Sequence, residues 1–172
     1  MEKEKKMQNQ PKAHYVNYIQ VSQTVEYANR NYSGSTNNLK RRTRQHNGDL
    51  VGGARYTRVG RPYAPACHIE GFGESKQHSL QFEAARKPRN CRDPLKLTRS
   101  NGRAVLPSIG RLYRVCLRKQ WTKRSPPAAT VPLTIVWYQP EHAPREWIPD
   151  LPAHIHTRLA TAEEKQRVGI RA

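Results

Sequence analysis

Val16-Asn17-Tyr18, then Tyr32-Ser33-Gly34, then Leu39-Lys40-Arg41-Arg42-Thr43-Arg44-Gln45-His46-Asn47-Gly48 succeed one another near the start of the chain. Tyr15 to Val21 alternates enough to predict a strand, with Tyr18 on one face with Val16 and Gln20. Tyr27 to Ser33 reads as a second strand, and Gln23 to Glu26 as the turn region. The pair forms a hairpin that carries both tyrosines. Ser35 or Thr36 is placed to cap a helix running to about Asn47, and Gly48 to end it. Arg42 and His46 are four apart and so share a helix face, flanked by Leu39 and Thr43.

Outward from this stretch, Gly52, Gly53 and Gly60 mark a basic loop that contains Arg55 and Arg58. Ala66 to Phe72 is a third strand candidate. Ser75 can cap a helix over Lys76 to Arg86, with Glu83 in its latter half and Pro88 stopping it. Arg86 to Arg124 holds 13 Lys or Arg and one acid, Asp93. Within that run Ser108 to Lys123 predicts an amphipathic helix. Ile109, Leu112 and Cys116 form one stripe, and Arg111, Arg114 and Arg118 another. Pro132 to Tyr138 reads as a strand or buried extended segment, Pro140 to Pro152 as proline-rich chain, and Thr161 to Val168 as a short helix. Strand and helix candidates thus alternate in an α/β chain, with a basic helical stretch towards its C-terminus. The expected division is a tail over residues 1–12, a module over 13–90, the basic extension and extended segment over 91–157, and a C-terminal tail over 158–172.

The chain has 172 residues, 35% of them hydrophobic, so a modest core is affordable and much of the chain is surface or loop. Lys and Arg number 31 against 13 Asp and Glu, a net charge of +18. Surfaces that merely solubilise mix both signs; this imbalance points to a polyanion, nucleic acid first. No apolar run reaches the roughly 18 residues of a membrane span, and the start, Met1-Glu2-Lys3-Glu4-Lys5-Lys6, is no secretory signal. Cys67, Cys91 and Cys116 are odd in number and widely spaced, which supports neither a disulfide framework nor paired zinc ligands.

Phosphodiester cleavage needs an activated nucleophile, stabilisation of charge at phosphorus and help for the leaving oxygen. Glu83, among basic neighbours and flanked by Leu80 and Phe82, is the best metal-ligand candidate; an ordinary surface glutamate is the other reading. Arg42 offers a planar fork of donors for a phosphate, and Arg41 and Arg44 suit the backbone or a solvated face. Two readings fit His46: a proton acceptor in a site, or a helix C-terminal histidine against the dipole. Tyr18 and Tyr32 are placed to position or deprotonate water, or simply to pack in strands.

Taken together, these residues resemble the GIY-YIG nuclease superfamily, with Val16-Asn17-Tyr18 at its first motif and Tyr32-Ser33-Gly34 at its second. The run Arg41 to Gly48, Gly52-Gly53-Ala54, Arg61-Pro62, Gly71-Phe72, Leu80-Gln81-Phe82-Glu83 and Val131 to Trp137 is similar to the nuclease domain of the Slx-type structure-specific endonuclease subunit, over about residues 13–157. The resemblance implies a catalytic set of Tyr18, Tyr32, Arg42, His46 and Glu83, with Tyr18 as base or water-positioning group. The fold it implies is α+β, a small antiparallel-centred, three-stranded sheet flanked by helices, with a basic helical C-terminal extension. It implies that Arg42 holds the scissile phosphate and Glu83 a single Mg2+ or Mn2+ ion. Branched double-stranded DNA such as flaps and junctions, repair or recombination, and action in the nucleus are implied with it. Arg41, Arg44, Arg55, Arg58, Arg111, Arg114 and Arg118 are the expected DNA-binding residues.

Three departures stand out. Valine and asparagine precede the first tyrosine in place of glycine and isoleucine, and Ser33 replaces isoleucine. The third departure is the C-terminal cysteine- and histidine-rich zinc domain through which such subunits bind a scaffold subunit. It has no counterpart here, so a minimal form or a fragment is expected, with that docking surface missing. A non-catalytic nucleic-acid-binding module on the same scaffold is the rival reading, and a sequence-reading homing or restriction enzyme the third. The complete set of five site residues argues against the rival, and the length of the resemblance against the third.

Overall fold

The computed structural model describes residues 14–91, 99–100, 103–104 and 106–170. The tail expected over residues 1–12 and Asp93 of the basic run lie outside the described residues. The elements are β1 (Val16–Ser22), β2 (Asn31–Thr36), α1 (Leu39–Asn47), β3 (Tyr63–Glu70), α2 (Lys76–Ala85), β4 (Arg99–Ser100), β5 (Arg103–Ala104), α3 (Pro107–Cys116), β6 (Leu133–Trp137), β7 (Ile155–Leu159) and α4 (Ala162–Arg167). The main sheet runs β2-β1-β3-β6-β7, and β4 and β5 form a separate two-stranded ribbon. Within the main sheet the β6–β7 pair is parallel and the others antiparallel.

The hairpin and both flanking helices form where the spacing predicts them, with shifted ends. Val25–Tyr27 is a short 3-10 turn, so β2 begins at Asn31 and absorbs Ser35 and Thr36. The cap of α1 is therefore Asn38, whose side chain accepts from the Arg41 amide. Gly48 ends that helix with φ +89°, a left-handed conformation that a side chain disfavours. Ser75 caps α2 by accepting from the His78 amide, as its position predicts.

The main sheet has five strands, not three. β6 pairs with β3, Cys67 facing Trp137 and Glu70 facing Thr134. β7 adds a further, parallel strand beside β6. Its sequence, Ile-His-Thr-Arg-Leu, is largely exposed at the sheet edge and lacks the apolar alternation by which a strand is read. Residues 140–150, read as irregular proline-rich chain, contain two 3-10 turns. The amphipathic helix is shorter than its expected span and stops at Cys116. Beyond it the chain turns at Trp121–Ser125, where the Ser125 hydroxyl oxygen accepts from the amides of Trp121 and Thr122.

β1 has neighbours on both edges and a helix against each face, so six of its seven residues are buried. Its alternation sorts the chemistry. Tyr18 and Gln20 meet α1 through His46 and Thr43, while Asn17 meets α2 through Ser79. Ile19 and Val21 enter the core with Phe72, Phe82 and Trp121, three rings with centroids 5.2–5.9 Å apart. The Ile109, Leu112 and Cys116 stripe of α3 is buried in the same core, as its periodicity predicts. All three cysteines are free and buried. Among the described residues no helix is long and apolar enough to cross a membrane.

Candidate active site

Strand register places Tyr18 of β1 directly opposite Gly34 of β2. A Cβ at Gly34 would lie 2.7 Å from the Tyr18 hydroxyl oxygen, so glycine is what lets that phenol lie across the β2 backbone. On its other side the phenol meets the Arg42 and His46 face of α1. The Arg42 Nε donates to the Tyr18 oxygen at 3.0 Å, and the Tyr18 hydroxyl is 2.9 Å from His46 Nε2.

The direction of the proton chain follows from its far end. The Thr57 hydroxyl donates its single proton to the Ala54 carbonyl at 2.8 Å. Its oxygen can therefore only accept from His46 Nδ1, 3.0 Å away. That fixes the proton of the neutral imidazole on Nδ1 and leaves Nε2 as an acceptor, so the Tyr18 hydroxyl donates to Nε2. Arg42, Tyr18, His46 and Thr57 form one directed chain, and Tyr18, His46 and Thr57 are fully buried.

Electrostatics keep both central groups neutral. Burial, with the charges of Arg42 and Arg61, lowers the His46 pKa to about 4. Arg61 also donates through Nε to the His46 carbonyl at 2.7 Å. Burial pushes the Tyr18 phenol up to about 12, against the hydrogen bond and charge of Arg42; Tyr32 and Glu83 add to the upward push. For Arg42, burial alone lowers the pKa, but the pull of Tyr18 and Tyr32 outweighs it, so the guanidinium stays charged. The remaining Arg42 bonds, from Nη1 to the Gln45 amide oxygen and the Gly52 carbonyl, fix its fork.

Tyr32 joins the same cluster, its ring centroid 4.7 Å from that of His46. Glu83 on α2 acts electrostatically on Tyr18 from the opposite helix, and Lys87 Nζ stands 3.8 Å from its carboxylate. Tyr18, Tyr32, Arg42 and His46 are thus brought together in direct contact, and Glu83 reaches Tyr18 only through its charge. Among the described residues no group of three or more His, Cys, Asp or Glu gathers to hold an ion. A carboxylate whose only ion pair among the described residues is the loose one with Lys87 suits a hard divalent cation whose other ligands are waters and substrate phosphate oxygens. The donor set fits magnesium or manganese in that mode and does not fit an all-protein cage.

The expected DNA-binding arginines fall into different settings. Arg41, Arg55 and Arg58 are exposed around the site, and Arg44 is exposed with Asp49 4.0 Å away. Arg111 and Arg118 donate to the carbonyls of Arg86 and Asn90, so part of the basic stripe fastens α3 to the end of α2. Arg114 is half-buried on the same helix.

Sequence reasoning did not find Thr57, Gln45 or the role of Arg61, since their partners are set by loop geometry. It also missed a second polar cluster on the α2 side of β1. Asn17 donates to the Ser79 carbonyl at 2.9 Å and Ser79 hydroxyl at 2.8 Å, and accepts from Arg86 Nη2 at 2.7 Å. Asn17 and Tyr18 are adjacent and point oppositely, so β1 holds Tyr18 to α1 and the helix of Glu83 to its other face.

Residues 14–90 match the GIY-YIG catalytic domain. Structure-specific endonuclease subunit slx1 of Schizosaccharomyces pombe is 42% identical over 69 residues, 40% of this chain and 25% of that protein. Structure-specific endonuclease subunit SLX1 homolog 2 of Trypanosoma cruzi is 32% identical over 156 residues, 86% of this chain and 28% of that protein. The slx1 subunit of Schizosaccharomyces japonicus is 46% identical over 70 residues, 40% of this chain and 24% of that protein. The chain spans about a quarter of the length of these relatives.

Proposed function

We propose, from the match of residues 14–90 to the GIY-YIG catalytic domain, that the chain is a metal-dependent, structure-specific DNA endonuclease. It hydrolyses phosphodiesters in branched DNA during repair or recombination in the nucleus. The observation that carries this reading is the directed chain from Arg42 through Tyr18 and His46 to Thr57, with the charge of Glu83 acting on Tyr18. The net charge of +18 supports the polyanionic substrate. The names of the relatives support the structure-specific class and work alongside a partner subunit.

In this mechanism Arg42 binds a non-bridging oxygen of the scissile phosphate. As the phosphate draws Arg42 off the buried Tyr18 oxygen, a water attacks phosphorus in line and loses a proton to that oxygen, while Tyr18 passes its own proton to His46 Nε2. The leaving oxygen departs from phosphorus and takes a proton from solvent, to which His46 returns the one it gained. Thr57 keeps the imidazole in the tautomer that can accept. Glu83 would hold one magnesium or manganese ion, which when bound supplies charge neutralisation at the phosphate. The phenol pKa near 12 makes the neutral imidazole necessary, because Tyr18 cannot ionise unaided at neutral pH.

The test is cleavage of end-labelled four-way junction, flap and linear duplex DNA with magnesium, manganese or EDTA, for the natural chain and Glu83→Ala. Metal-dependent cutting of branched DNA that disappears in Glu83→Ala is expected. Cutting that persists in the variant removes Glu83 from the mechanism, and binding without cutting makes the chain a non-catalytic module.

A further inference from the structure

Beside the directed chain, with Arg42 in its lining, lies a cleft of about 300 Å3. Arg42 and Gln45 form the wall it shares with the candidate active site, and Tyr15, Asn37, Arg41 and Lys76 are among its other lining residues. Arg41 and Lys76 are exposed, and among the described residues neither makes an ion pair and no carboxylate lines the cleft. The Tyr15 side chain packs against the core and is only half-buried. It is thus a supported ring at the edge of a cationic recess.

We propose that this cleft seats one unpaired nucleotide next to the scissile phosphate, with its phosphate between Arg41 and Lys76 and its base against Tyr15. The inference rests on the endonuclease reading and adds to it the feature that selects branched DNA. Size is the first argument. The cleft is at the lower limit of the ~300–1,000 Å3 typical of small-molecule sites, which suits a single nucleotide unit and not a base pair. Charge is the second, since two unpaired cations without an acid suit a phosphodiester. Position is the third. Arg42 stands in both sites, so a nucleotide here is next in line to the phosphate that Arg42 holds. A paired nucleotide in linear duplex would have to leave its partner to enter, whereas one at a branch is already free.

The test measures binding in EDTA and single-turnover cleavage in magnesium by the full chain. The substrates are a flap with a normal or abasic unpaired nucleotide at the branch, and linear duplex. For the natural chain, the abasic flap is expected to bind about 5- to 150-fold more weakly, the worth of one base–aromatic stack. Tyr15→Leu should lose a similar factor on the normal flap and almost nothing further on the abasic one. The exposed pair Arg41→Gln with Lys76→Gln keeps the test independent of the Tyr15 packing. It should weaken flap binding at least tenfold more than linear duplex binding and lower the flap's log–log salt slope by about 1 more than the duplex's.

Equal losses on flap and duplex would make the cleft an ordinary duplex contact and overturn the proposal, as would indifference to the abasic substitution. If the natural chain cuts flaps and these variants bind and cut as it does, the cleft fails alone. If the natural chain neither binds nor cuts any of the DNAs, the endonuclease reading fails and the cleft with it.

Discussion

Replacing Gly34 with alanine tests whether the close approach of Tyr18 is what organises the site. The new Cβ would lie 2.7 Å from the phenol oxygen and 3.0 Å from Cζ, where ordinary contact begins near 3.4 Å. The ring must retreat by roughly 0.7 Å, taken as the gap to ordinary contact. It has nowhere easy to go, because Tyr18 is fully buried and tied at 2.9 Å to His46 and 3.0 Å to Arg42. Overpacking of this kind costs about 1–3 kcal/mol. A displacement near 1 Å in a reacting group costs on the order of 100-fold in rate. The assay is a double-mutant cycle by urea unfolding over Gly34→Ala, Tyr18→Phe and the pair, with flap cleavage for Gly34→Ala. Phenylalanine removes the closest atom, so alanine should cost about 1 kcal/mol less in that background, beyond the ~0.3–0.5 kcal/mol within which independent sites add. Additive stabilities, or cleavage by Gly34→Ala at the natural rate, would refute the reasoning.

Thr57→Val keeps the shape but removes the acceptor of the His46 Nδ1 proton, so it should lower cleavage at least tenfold and cost about 1–3 kcal/mol in urea unfolding; natural activity in this variant would break the tautomer argument. In the same unfolding assay, His46 has a folded pKa near 4 against an ordinary 6.5. The unfolded chain therefore takes up its proton first, and the stability His46 contributes is present above pH 6.5 and falls as pH drops towards 4, relative to His46→Gln. On the α2 side, Asn17→Leu strands the buried Arg86 and should cost about 3–5 kcal/mol, much of it recovered by adding Arg86→Met; a double variant as unstable as the single would show that the pair is not the cause.

How much of this was legible in the sequence depends on how far each interaction reaches. Arg42 and His46 share a helix face because they are four apart, and Ser75 caps α2 because a serine precedes a helical run; both are local rules. The ends of β2 and α1 were misplaced because Ser35 and Thr36 are as able to cap as Asn38, and only pairing with β1 keeps them in the strand. β7 was invisible for a related reason. Its strand character comes from β6 beside it, not from alternation of its own. Arg111 and Arg114 of the basic stripe lie on α3 as expected and Arg118 falls just past its end, but periodicity cannot tell a cation that faces a phosphate from one that holds a carbonyl. Arg111 and Arg118 do the latter.

Asn17 shows the same limit at the site itself. In the sequence it reads as a polar departure at a position where the resembled motif has isoleucine, next to the tyrosine that matters most. In the fold it is fully buried, and each of its polar atoms is matched by a group from α2: the Ser79 carbonyl and hydroxyl, and the Arg86 guanidinium. Arg86 is itself almost fully buried, with burial lowering its pKa and Nε and Nη1 lacking partners among the described residues. A buried asparagine here and a buried arginine at the end of α2 are each costly alone and sensible together. Such paired departures, 69 residues apart, cannot be recognised from either residue's neighbours. They also replace the non-directional packing of an isoleucine by three directed bonds, which hold the helix of Glu83 in one register against the strand of Tyr18.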